Sequence, residues 1–270
     1  NAKRTHGRKT ITRDVPMKFG LASIDITPPF PTAMHGYAAR KDCFDAVHDP
    51  LVLTTIMLEE AGRRAVLCAA DLCTFPNDGS TPKWMDLVAA KAGCPRDNVM
   101  LCASHTHGGP LLPTESVCFR DSPYMGAARK YAEWLGGRVV EAVARAAAGL
   151  RPGSIEIAEG KTTFPMCRRL ERNGEIVNAP NPGGPVDNRM RLLLLRGEEG
   201  ALAAVGMILA CHPVATGAQH LLTADYPGAW RAEFARAFGP SVMPFFLQGA
   251  GGDARPRHVA NPDDWRQLPH

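Results

Sequence analysis

Eight stretches of this chain read as β-strands: Lys18–Thr27, Leu51–Leu58, Arg64–Ala70, Asn98–Ala103, Ser154–Ala158, Arg189–Arg196, Leu202–Ala210 and Val242–Leu247. Several are apolar on both faces, and such a strand needs cover on both sides, whereas an alternating strand can leave one face in water. Helical segments supply that cover. The segment 123–149 carries Tyr124, Ala128, Tyr131, Leu135, Val139 and Val143 at three- and four-residue spacing, and shorter helices are predicted over 82–92 and 227–238. Asp121 or Ser122 is placed to cap the long helix, with Pro123 in its first turn. The prediction is an α/β fold in which mixed β-sheet, in one or more layers, is flanked by helices.

No internal repeat, Ser/Gly linker or charge block divides the chain, so residues 18–270 are expected to form one domain and residues 1–17 a tail. With 270 residues and 45% hydrophobic content there is enough apolar material for a full core. The net charge of +4 is concentrated at the start, where Lys3, Arg4, Arg8, Lys9 and Arg13 precede the first acid, Asp14. Beyond them 26 basic residues face 27 acidic ones, and 7% of the chain is aromatic. That leaves no basic stripe for phosphates and few platforms for bases, so nucleic acid is not an expected partner. The longest apolar run, Ala201–Cys211, falls well short of the roughly 20 residues that span a bilayer, and no transmembrane segment is expected.

The eight cysteines include no CxxC pair, and Cys68, Cys102 and Cys211 lie within apolar strand-like runs. They read as small buried hydrophobes in a reducing compartment. The basic head lacks the apolar centre of a secretory signal. A cytoplasmic location is the expectation, with secretion or a periplasmic site the alternative if a leader has been removed. Nothing in the sequence sets an oligomeric state.

The chemistry collects where strands end. The apolar run Val99–Ala103 stops at Ser104-His105-Thr106-His107-Gly108-Gly109-Pro110, so two imidazoles emerge together as regular structure gives out. Leu202–Ala210 stops at Cys211-His212-Pro213, Val242–Leu247 at Gln248-Gly249-Ala250-Gly251-Gly252-Asp253, and Ala65–Ala70 at Asp71. Ligands of α/β sheets bind beyond the carboxyl ends of strands, and a metal site is expected there. Imidazole nitrogens and carboxylates suit zinc, and a catalytic zinc keeps one position for water. His105 and His212 are the expected ligands, and Asp253, Asp71, Asp225 and His107 are the candidates for a third. Gly249, Gly251 and Gly252 suit either a loop offering amides to an oxyanion or a tight turn.

Several segments, in order, resemble the neutral/alkaline, non-lysosomal ceramidase family. They are Gly20-Leu-Ala-Ser-Ile-Asp-Ile-Thr-Pro28, Met34-His-Gly-Tyr37, His48-Asp-Pro-Leu51, the His105/His107 motif through Pro110, Cys211-His-Pro213, Ala224-Asp-Tyr-Pro-Gly228 and Gln248 to Asp253. The resemblance implies zinc ligation by His105 and His212, substrate contact by His107, and a substrate-binding role for Arg168. It also marks two departures. The family's Gly-Asp-x-Ser-Pro-Asn segment, with its serine nucleophile, reads Gly252-Asp-Ala-Arg-Pro-Arg257 here, and Arg255 stands at the serine position. The family's remaining ligands, a glutamate and a tyrosine, lie further toward the C-terminus than His270, so this domain is expected to lack its C-terminal portion.

A guanidinium cannot attack a carbonyl. The expected function is therefore zinc-dependent hydrolysis of an amide (N-acyl) or related acyl bond by metal-activated water, with His107 or Asp253 moving protons and Arg168 and Gly252 binding a small or lipid-like N-acyl substrate. Two alternatives stand beside it. One is an amidohydrolase-type barrel, which also ends an early strand in H-x-H; the other is a non-catalytic metal-binding or scaffold domain.

Overall fold

The computed structural model describes residues 11–12, 17–40 and 42–259. Met17 already belongs to a strand, and Ile11–Thr12 pair with Ile157 and Glu156; the rest of the expected tail lies outside the described residues. The main sheet runs in the order Met243–Gln248, Leu202–Leu209, Arg189–Gly197, Arg151–Lys161, Met17–Asp25, Val52–Glu60, Arg63–Ala70, Val99–Ala103. All eight expected strands are present. Neighbours are antiparallel except at the two ends of the path, where Arg63–Ala70 lies parallel to Val99–Ala103 and Leu202–Leu209 parallel to Met243–Gln248. Each parallel pair needs a crossover, supplied by the helix Thr81–Ala92 in the first case and Tyr226–Phe238 in the second.

The path folds where Met17–Asp25 meets Arg151–Lys161, because those strands pair only over Met17–Phe19 and Arg151–Gly153. A Cβ on Gly153 would fall 2.3 Å from the Phe19 ring, so this corner closes only around glycine. Alternation along the strands then serves three apolar layers. Phe19, Ile56, Leu195, Ala204 and Phe245 fill the space between the two halves of the sheet. Their neighbours Met57, Val66 and Cys68 face outward onto Val88, Leu135 and Val139 of the helices Thr81–Ala92 and Met125–Ala148. On the other side Met207, Leu209 and Phe246 pack with Tyr226 and Trp230. The result is helix, sheet, sheet, helix, which is why so many strands are apolar on both faces. Leu135 and Val143 are fully buried, and truncating such a leucine to alanine typically costs about 2–5 kcal/mol.

One expectation is corrected, one disfavoured alternative is excluded, and one small sheet was not anticipated. The long helix begins at Met125 with Tyr124 as its uncapped first residue, because Ser122 Oγ accepts instead from Tyr124 N at 3.2 Å and closes the turn before it. The layered sheet with three α-helices among the described residues excludes an eight-unit barrel. A second sheet of Pro165–Arg172, Glu175–Asn181 and Ala254–Pro256 was not anticipated, because its strands carry Arg168, Arg169, Glu171 and Arg172 instead of an apolar run. Its signal was Asn173-Gly174, both at positive φ, a pair typical of a tight hairpin turn. All eight cysteines are free; Cys68, Cys73, Cys167 and Cys211 are buried as small hydrophobes, whereas Cys118 is exposed. Among the described residues no helix is long and apolar enough to cross a membrane.

Candidate metal centre

The carboxyl ends of the two parallel pairs converge. Past Val99–Ala103 the chain is held to its neighbour by Ser104 N to Ala70 O (2.8 Å) and His105 N to Leu72 O (2.9 Å), and His105 takes a positive φ of 66°. That left-handed conformation strains a residue with a Cβ by about 1 kcal/mol or more, a cost seen most often at functional sites. His107 N donates to Pro213 O (3.3 Å), and His212 N donates to Ala254 O (3.0 Å), so the two histidine loops are stitched to each other and to the second sheet.

Three imidazoles meet there. Ring centroids lie 4.5 Å apart for His105 and His212, 5.0 Å for His107 and His212, and 5.2 Å for His105 and His107, all edge to face. Cys73, His105 and His107 offer ligand atoms within 4.8 Å of one another, a group of three that leaves out His212. Hydrogen bonding fixes which ring nitrogens keep a lone pair. His105 Nδ1 faces Cys73 O at 2.7 Å and His212 Nδ1 faces Gly251 O at 3.1 Å. A carbonyl only accepts, so both Nδ1 atoms carry the proton and both Nε2 atoms keep a lone pair. Cys73 Sγ lies 4.0 Å from that same protonated edge of His105, and burial pushes its thiol up to about 12. Nε2 of His105 and Nε2 of His212 are thus left with a lone pair, and the Cys73 carbonyl holds the His105 ring in place.

Burial keeps the cluster neutral. It pulls His212 down to about 3, helped by His105 and Arg168, and His35 to about 4, helped by His105 and Arg40. His107 is lowered well below its ordinary value by burial and then by His212, and His105 is lowered by burial against the opposing Cys73 carbonyl. Neutral imidazole is the form that binds metal. His107 Nδ1 is buried without a hydrogen-bond partner among the described residues.

The remaining candidates separate cleanly. Asp71 is buried and bound to Arg231 through Nη1 (3.0 Å) and Nη2 (2.5 Å), with Val52 N on Oδ2; burial raises its carboxyl and Arg231 opposes. Asp225 accepts from Ala215 N, Thr216 N and Tyr226 N and caps the last helix. Both carboxylates hold loops in place. Asp49 does the same through Ala224 N (3.0 Å) and His48 Nδ1 (2.8 Å). Gly252 and Asp253 are exposed. The Gly252 carbonyl accepts from Arg168 Nε (3.0 Å) and Arg169 Nη2 (3.4 Å). The amides of Gly249 and Gly251 donate to Leu209 O and Gly249 O, so this loop is a tight turn.

A cavity of about 420 Å³ opens over the histidines, lined by His35, Cys73, His105, His107, Arg168 and His212 among others. Two of its supports were not anticipated. Arg40, a buried guanidinium lowered to about 10 chiefly by burial, donates from Nη2 to His35 O and His107 O, both at 2.5 Å, and from Nη1 to Gln219 O. Gly36 has φ 100°, and a Cβ there would sit 2.4 Å from His107 Cγ. Their only sequence mark is their place in or just beyond Met34-His-Gly-Tyr37.

No family model matches the chain. A neutral ceramidase from Pseudomonas aeruginosa is 27% identical over 258 residues, which is 90% of this chain and 37% of that protein. The chain is related in sequence to neutral ceramidase. A solved ceramidase complexed with C2 shares the fold with a TM-score of 0.76 at 24% identity, over 94% of this chain and 42% of that one. The structure of neutral ceramidase from Pseudomonas aeruginosa does so with a TM-score of 0.73, also at 24% identity, over 93% and 41%. The ceramidase resemblance read from the sequence is thereby borne out, for a chain that spans 37% of its curated relative's length.

Proposed function

We propose that this chain is a zinc-dependent hydrolase acting on an amide (N-acyl) or related acyl bond, with His105 and His212 as protein ligands. One observation carries the reading: two imidazoles from opposite ends of the sheet path stand 4.5 Å apart, each with Nδ1 on a backbone carbonyl. Those carbonyls fix the tautomers and would leave each Nε2 to hold an ion, as outer-shell partners do in metal sites. Nitrogen donors suit zinc better than the hard oxygen-seeking cations. Bound zinc would supply Lewis acidity to a carbonyl oxygen and to water.

The chain's own residues supply the rest. Gly36 and Arg40 seat His107, which lines the cavity and is the residue to contact the acyl substrate or hold a proton. Phe119 gives the cavity an apolar wall. Arg168 lines the cavity near the histidines, anchored by Gly252 O. Asp253, exposed at the adjoining turn, is the second proton-moving candidate. Arg255 is buried on the short strand beside His212, where the family resemblance puts a serine, and a guanidinium is no nucleophile. The net reaction adds water across the C–N bond and yields a carboxylic acid and an amine.

Arg255 also favours a second reading, a metal-binding domain without turnover. Metal analysis and N-acyl hydrolysis with and without chelator separate the two. The hydrolase reading expects about one zinc per chain and turnover abolished by chelation. Zinc without turnover of any N-acyl substrate leaves only the binding domain; absence of zinc overturns both.

A further inference from the structure

The cavity's charge is one-sided. Arg168 and Arg169 both line it, and none of its lining residues is Asp or Glu. Arg64, Arg191, Arg196 and Arg231 all pair with a carboxylate, whereas neither cavity arginine forms an ion pair among the described residues. Their shared partner is one neutral group, the Gly252 carbonyl, which accepts from Arg168 Nε and Arg169 Nη2 and leaves other N–H groups of both forks uncommitted. The two side chains come from adjacent positions of one hairpin strand, and Asn178, the cross-strand partner of Arg169, lines the same cavity with its Oδ1 buried and unpartnered.

Partly buried positive charge is costly unless an anion meets it. Burial followed by Arg169 and Arg255 lowers the basicity of Arg168, with exposed Asp253 opposing only in part. Arg168 in turn lowers the basicity of His105 and His212, which places its charge within electrostatic reach of both. A metal ion between those histidines would add to the excess. A planar guanidinium fork matches carboxylate and phosphate oxygens better than it matches a neutral hydroxyl or amide.

We propose that the acyl compound this cavity accepts is an anion, its carboxylate or phosphate held by Arg168 and Arg169 beside the histidine cluster. This rests on the acyl-hydrolase reading for the identity of the acyl group, but the charge preference can be measured apart from turnover. Titration calorimetry on the zinc-loaded protein would compare N-hexanoylglycine, its neutral amide N-hexanoylglycinamide, and N-hexanoyl-ethanolamine phosphate. Each charge-assisted fork is worth enough for the better anion to bind about tenfold tighter than the neutral compound or more, with the margin shrinking in high salt. Which anion wins identifies carboxylate or phosphate.

In the Arg168→Gln/Arg169→Gln double variant the ratio of dissociation constants should fall toward one. Arg169→Gln alone, at an exposed position, should reduce it if the double variant does not fold. Equal binding of charged and neutral compounds, no binding of any, or a preference that survives these variants would overturn the proposal. Chelator-sensitive turnover of charged and neutral substrates alike would leave the hydrolase reading standing while this one fails. Arginine-dependent binding of the anion without turnover does the reverse.

Discussion

Acidifying the metal-free protein should weaken it by roughly 2.5 kcal/mol between about pH 7.5 and 4.5 through His35 alone. His35 is almost fully buried, its ring set edge-on against Phe119, and its pKa falls from 6.5 to about 4. The unfolded chain therefore binds more protons than the folded one between those values. Stability is complete above about 6.5, falls with pH toward 4, and levels off below. The loss is a large share of the roughly 5–15 kcal/mol that holds a typical domain together. His212, at about 3, and His107 and His105, both lowered, act in the same direction, while the raised carboxyl of Asp71 acts against them. Urea unfolding of chelator-treated protein across this pH range measures the slope. His35→Gln should flatten it by about the stated amount. A stability flat across the range, or a His35→Gln variant with the wild-type slope, would show that these imidazoles are not buried neutral groups.

Further outcomes follow from contacts at the cluster. Gly36→Ala should lower stability by roughly 2 kcal/mol and disturb the His107 ring, since it adds both a strained φ and a methyl inside the ring's contact distance; thermal melts and the histidine NMR signals report both. Cys73→Ala should retain zinc at close to the wild-type stoichiometry, because Cys73 contributes a carbonyl and not its sulfur; loss of the metal would make the thiol a ligand. Asp71→Asn should cost about 3–5 kcal/mol in denaturant unfolding, because it leaves Arg231 without its buried partner.

The sequence revealed the layers more readily than the site. Runs such as Val52–Glu60, apart from its buried Thr54 and Thr55, and Met243–Gln248 are apolar where the two cores require it, so their strands were legible at once. The Arg168 hairpin was not, because its faces are half solvent, and only Asn173-Gly174 announced it. His105 and His212 were legible because an apolar strand that ends in histidine has no packing reason to do so. Asp71 and Asp225 were candidates for a third ligand, Asp225 equally for a helix cap, and in the structure one neutralises Arg231 and the other caps a helix. A carboxylate after a strand serves either purpose, and only the third dimension shows which. Arg40 and Cys73 had no local pattern at all, since their contacts with His107 and His105 span tens of residues.

Anomalous diffraction from zinc-soaked crystals, collected on either side of the zinc absorption edge, tests the central claim most directly. A single peak within bonding reach of His105 Nε2 and His212 Nε2, with both Nδ1 atoms still on the Cys73 and Gly251 carbonyls, is the predicted result. A peak on Cys73 Sγ that excludes His212, or no peak at the cluster, would contradict it.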